Sequence, residues 1–72
     1  MNVLVLKTNI DNEQKFDYVC NILHNIPQIN HWSVDHEDID KVLRIEAGGE
    51  LTELDVIELL NREHIVCEEL TY

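Results

Sequence analysis

An α+β domain of the ferredoxin-like type, a βαββαβ sandwich with a four-stranded antiparallel sheet and two helices on one face, is what this 72-residue chain predicts. Three observations predict it. Two helical periodicities, each opened by a capping signal, alternate with short β-rich segments. Pro27 and the pair Gly48-Gly49 punctuate the chain where helix and strand must stop. The length supports one modest core and no more, so residues 1–72 are expected to form a single domain.

Residues 3–7 are rich in Val and Leu and suit a central strand covered on one face. Asp11 then offers an N-cap, with Gln14 three residues on to close a capping box. Phe16, Val19, Cys20, Leu23 and Ile26 follow at spacings of three and four, one apolar helix stripe. Pro27 cannot continue that helix, which ends by Ile26. Residues 32–35 (Trp32-Ser33-Val34-Asp35) alternate apolar and polar, a second strand with one buried face. An acidic turn, His36 to Asp40, leads into a third strand over 41–47, with Leu43 and Ile45 on one face and Val42, Arg44 and Glu46 on the other. Thr52 with Asp55 is a second capping signal, and Leu54, Val56, Ile57 and Leu60 are the apolar positions of a helix reaching about Arg62. Residues 65–70 form the last strand.

Right-handed crossovers then arrange the sheet in the order four-one-three-two. Three connections share one end of such a molecule: the loop after the first strand, the hairpin at His36 to Asp40, and the turn at Glu63 and His64. The other sheet face is expected to show His31, Ser33, Asp35, Val42, Arg44 and Glu46. Trp32 belongs to the core if it shares the face of Val34. A register one residue away turns it into an exposed anchor.

Fifteen acidic against five basic residues give a net charge of −10. Such a surface repels nucleic-acid phosphates and anionic lipid, which argues against nucleic-acid and membrane partners. It serves solubility, and it favours cations or a basic protein partner. The N-terminus has no basic region and only four consecutive apolar residues, so neither a signal peptide nor a membrane span is expected. Cys20 and Cys67 do not form a Cys-x-x-Cys pair, and a cytoplasmic setting is expected for the thiols. Both are expected to be structural, as free cysteines commonly are.

Enzyme chemistry finds no signature. No Gly-rich phosphate loop follows a strand, and the one serine, Ser33, has no sequence motif pairing it with a base. A non-enzyme is expected. Carboxylates and imidazoles do gather at the loop end. Asp11, Glu13 and His64 are the residues expected to hold a divalent metal ion there, if one is held. The hairpin cluster Asp35-His36-Glu37-Asp38 lacks the spacing and glycine of a calcium loop and reads as a solvated turn.

The segment Asn9-Ile10-Asp11-Asn12-Glu13-Gln14-Lys15-Phe16, the stretch Val19 to Ile29 ending in Ile26-Pro27, the strand Trp32-Ser33-Val34-Asp35 and Val56-Ile57-Glu58 together resemble the heavy-metal-associated domain of copper chaperones and metal-pumping ATPases. The resemblance spans nearly the whole chain. It implies the fold already argued, and it places Asn12 and Lys15 where that family carries the two cysteines of Gly-Met-x-Cys-x-x-Cys, with Ile10 at the methionine. Thiolates suit soft Cu(I), whereas an ammonium has no lone pair and repels a cation. The resemblance therefore implies a scaffold without its soft-metal ligands and without a metal cofactor, acting through contact with a protein partner. Two alternatives stand beside it: divalent-metal binding or transfer through Asp11, Glu13 and His64, and a small-molecule regulatory domain or enzyme subunit.

Overall fold

The computed structural model describes residues 2–70. Six elements follow in the expected order: β1 (Asn2–Thr8), α1 (Glu13–His24), β2 (Ile29–Asp35), β3 (Val42–Ala47), α2 (Glu53–Asn61) and β4 (Cys67–Glu69). The sheet runs β2-β3-β1-β4 and every pairing is antiparallel, as the crossover argument requires. Alternation along the strands sends one set of side chains under the helices. Leu4 and Leu6 of β1 and Leu43, Ile45 and Ala47 of β3 meet Val19 and Leu23 of α1 and Val56 and Leu60 of α2, all buried. Removing a leucine of this size from water contributes about 1.5–3 kcal/mol, so a handful of such side chains holds the domain.

The helix termini are where local sequence and final structure part. Thr52 and Asp55 form a reciprocal capping box at α2, as expected. At α1 the cap is Asn12 rather than Asp11. Asn12 is extended, and its Oδ1 accepts from the Lys15 backbone N–H at 2.9 Å. The expected Asp11–Gln14 box is not formed. The reason lies upstream. Thr8 is tied to the hairpin before β3 and Asn9 to the residue before β4, and Ile10 is fully buried, so the chain turns into the helix one residue later.

Two apolar assignments also change. Cys20, placed by periodicity on the buried stripe of α1, faces solvent. The buried stripe narrows to Val19 and Leu23, with Phe16 and Ile22 at its borders. Leu54 on α2 is 63% exposed, because two residues before Val56 it falls on the side of the helix away from the face that Val56 and Leu60 bury. Trp32 stands with Val34 on the helix side of β2, partly buried, and packs on Phe16 with ring centroids 5.5 Å apart. The opposite face of the sheet carries the six residues expected of it.

Candidate functional site

The three connections do share one end, and backbone hydrogen bonds join them. The Thr8 N–H donates to the Asp40 carbonyl at 2.9 Å, and the Thr8 hydroxyl donates to the Lys41 carbonyl. Asn9 faces the other way. Its N–H donates to the Val66 carbonyl at 3.1 Å, and its Oδ1 accepts from the Val66 N–H at 3.0 Å. One asparagine thus completes the β1–β4 ladder where the strands themselves have stopped. Periodicity gave no signal for this role, because the partner lies 57 residues away.

Within the first loop the organising group is Lys15. From the first turn of α1 its ammonium reaches back and donates to the Asn9 carbonyl at 3.2 Å and to Asp11 Oδ1 at 3.0 Å. The Lys15 side chain is only 28% exposed, so this contact is partly shielded from water. The bond from Lys15 holds the Asp11 carboxyl below the usual carboxylate range. Asn12 adds a longer bond from its amide to the same Asp11 oxygen. The loop is closed by an internal cation.

Asp11 and Glu13 border a hollow of about 320 Å3 with Phe16, His36 and Lys41, on the hairpin side. His36 lies against Phe16 with ring centroids 5.4 Å apart, extending the Trp32–Phe16 contact into a row of three rings. His64 belongs to a different hollow, of about 270 Å3, with Asn12, Lys15, Tyr18 and Glu63. The expected grouping of Asp11 and Glu13 with His64 is therefore not the one observed. The crossover from β1 to the outer strand β2 brings Phe16 of α1 onto Trp32, and Asp11 before the cap and Glu13 in the first turn face that side, while Asn12 and Lys15 border the hollow of His64. Among the described residues no three His, Cys, Asp or Glu side chains stand close enough together to hold a metal ion.

His64 has a structural task. It adopts φ +62°, its N–H bonds to the Asn61 carbonyl, and the next N–H, of Ile65, bonds to the Leu60 carbonyl. That is the hydrogen-bond pattern of a Schellman closure, with histidine at the left-handed position usually given to glycine. Buried Leu60 and Ile65 supply the hydrophobic contact that accompanies the motif. Lys41, at φ +45°, has the same backbone handedness where the hairpin re-enters β3, and its ammonium donates to the His36 carbonyl at 2.8 Å.

The thiols stand far from this machinery in character. Cys67 is buried beneath the sheet, and burial pushes its thiol up to about 11. Cys20 is exposed on α1. No helix among the described residues is long and apolar enough to cross a membrane.

At the level of sequence, no family model and no characterised protein matches the chain. In three dimensions it is similar to the yeast copper transporter domain Ccc2a, solved in apo and Cu(I)-loaded states, with a TM-score of 0.81 at 11% identity, covering 99% of this chain and 97% of that one. The solution structure of the Atx1–Cu(I)–Ccc2a complex matches with a TM-score of 0.82 at 11% identity over the same shares of both chains. The chain has the fold of these copper-transport domains.

Proposed function

We propose that this chain is a non-catalytic, cytoplasmic domain of the heavy-metal-associated type that lacks the soft-metal ligands and works by contact with a protein partner. The observation that carries the proposal is the seat of Lys15. Where the resemblance places a metal-gripping thiolate, an ammonium is held by the Asn9 carbonyl and the Asp11 carboxylate. A cation already fills the loop, and its three N–H donors offer no lone pair to a metal. The fold supports contact with a protein, since a solved structure of the same fold is a two-protein complex. The surplus of acids favours a basic partner.

Competition for Cu(I) against a chelator tests the reading. The expected result is an affinity no greater than that of a single exposed thiol such as Cys20. Tight one-to-one binding overturns it.

A second reading, binding or transfer of a divalent ion at the loop end, draws support from the metal-loaded state of a neighbour in fold and from Asp11, Glu13 and His36 bordering one hollow, which must draw closer than they stand here to ligate an ion together. Zinc or nickel titration followed by amide NMR separates the two. Saturable, joint movement of Asp11 and Glu13 favours the ion. Movement of His64 in the same titration assigns the ion to Asp11, Glu13 and His64, and movement of His36 instead assigns it to the hairpin side.

A further inference from the structure

The sheet ends in two unequal edges. β4 is three residues long, and two of the three are glutamates, so that edge is short and charged. β2 is seven residues long, contains neither lysine nor proline, and carries one formal charge, Asp35, at its end. Short strands, lysines and prolines are the usual protections of an edge. The single irregularity in β2 lies between Ile29 and His31, at its beginning. Beyond their pairing with β3, the backbone groups of residues 30–34 make no hydrogen bond among the described residues. Unpaired peptide groups in a row are a template for another strand.

We propose that the free edge of β2 is the docking site for an extended, lysine- or arginine-bearing segment of a partner protein, which adds to the sheet as a fifth strand. The inference rests on the reading of this domain as a protein-contact module and specifies where that contact is made. Side chains on the two faces of β2 define what the added strand carries. Trp32 and Val34 on the helix side are partly buried and stand at the margin of the core, so the strand's residues on that side are apolar. On the open side a hollow of about 470 Å3 lies over the sheet face from Val5 of β1, past Val42 and Arg44 of β3, to Ser33 and Asp35 of β2 and Asp38 of the hairpin, so that its outer margin meets the β2 edge. Asp35 accepts from the Glu37 N–H and Asp38 from the Asp40 N–H, each through Oδ1, and neither forms an ion pair among the described residues. Two carboxylates against one guanidinium leave the hollow acidic, so the residues facing it are cationic. A second copy of this chain is the wrong occupant: it brings another net charge of −10 and another Asp35 to the same edge.

The test uses the isotope-labelled protein and a capped octapeptide of alternating lysine and valine. Two further versions of that peptide carry backbone N-methyl groups on all lysines or on all valines, which blocks one edge of the strand at a time. A glutamate–valine octapeptide is the charge control. Expected are saturable amide shifts centred on residues 30–34 and at least tenfold slower hydrogen exchange of the outward-facing amides there. One methylated peptide should lose binding while the other retains it, and Asp35→Lys should weaken the parent peptide about tenfold at low salt. Retention by both methylated peptides, or shifts dispersed over the acidic helices, means plain charge attraction and overturns the proposal. So does the absence of binding at millimolar peptide, or a concentration-dependent dimer protecting the same amides. None of these results alters the outcome of the Cu(I) competition, and tight Cu(I) binding leaves the exchange data at β2 unchanged, so the two readings fail separately.

Discussion

At the scale of single residues, the two thiols behave oppositely for one reason, their access to water. Cys67 is 5% exposed and its thiol is held neutral by burial, whereas Cys20 lies open on α1. Thiolate is the reactive form, so a thiol reagent at pH 8 should modify one cysteine quickly and the second only after unfolding. Two fast thiols would mean that β4 opens readily. The Asp11–Lys15 pair sets a second expectation. The folded carboxyl titrates below its unfolded value, so its contribution is complete above the ordinary carboxylate range and is lost as pH falls through the folded pKa. The gap in thermal midpoint between the parent chain and Asp11→Asn should therefore be constant near neutrality and close only below about pH 4. A gap that closes between pH 6 and 8 would point to a histidine instead. With Asp11 more than half exposed, the gap itself is small.

At the scale of elements, the caps carry the stability that can be assigned to individual side chains. Asn12→Ala removes the acceptor for the Lys15 N–H and should destabilise the fold by about 0.5–2 kcal/mol, whereas Asp11→Ala should cost less, the reverse of what the sequence alone suggests. Urea titrations of the two variants decide the order. The closure of α2 yields a substitution that stabilises. His64 occupies the left-handed region without being glycine, and a side chain there costs about 1–2 kcal/mol relative to the right-handed form. His64→Gly relieves that cost at the expense of a more flexible unfolded chain, for a net gain of about 0.5–1 kcal/mol. An unchanged or lowered urea midpoint would show that the imidazole contributes something beyond its backbone conformation.

At the scale of the whole molecule, the loop end is held by hydrogen bonds from β1 to the hairpin on one side and to the chain entering β4 on the other. Each of these bonds, and each Lys15 contact, joins two groups of the protein itself. Thermal denaturation should accordingly give the same midpoint with and without a chelator. A lowered midpoint in chelator would show that the loop depends on a metal. The same domain has a small core, so interior truncations are severe. Leu43→Ala, at a fully buried position of β3, should cost about 2–5 kcal/mol, a large part of what a chain of this length has. A broad, weakly cooperative urea transition for that variant is the expected sign.

The sequence by itself determined the element order, the sheet order, the two breaks at Pro27 and Gly48-Gly49, the cap of α2 and the outward face of β2 and β3. The sheet order follows from the right-handed crossovers, and the others from short-range rules: a period of two or of about four, a missing N–H, a side chain three residues from its backbone partner. The tertiary structure decided the rest. Asn12 displaced Asp11 as the cap because Asn9 and Ile10 were already committed to the residue before β4 and to the core. Cys20 and Leu54 turned outward because a helix stripe is only as wide as the sheet it covers. His64 borders a different hollow from Asp11 and Glu13 because the start of α1 stands between the two: Asn12 and Lys15 face His64, while Asp11 and Glu13 face the hairpin. Such outcomes depend on partners tens of residues away, and no local periodicity encodes which of two neighbouring carboxylates an ammonium will reach.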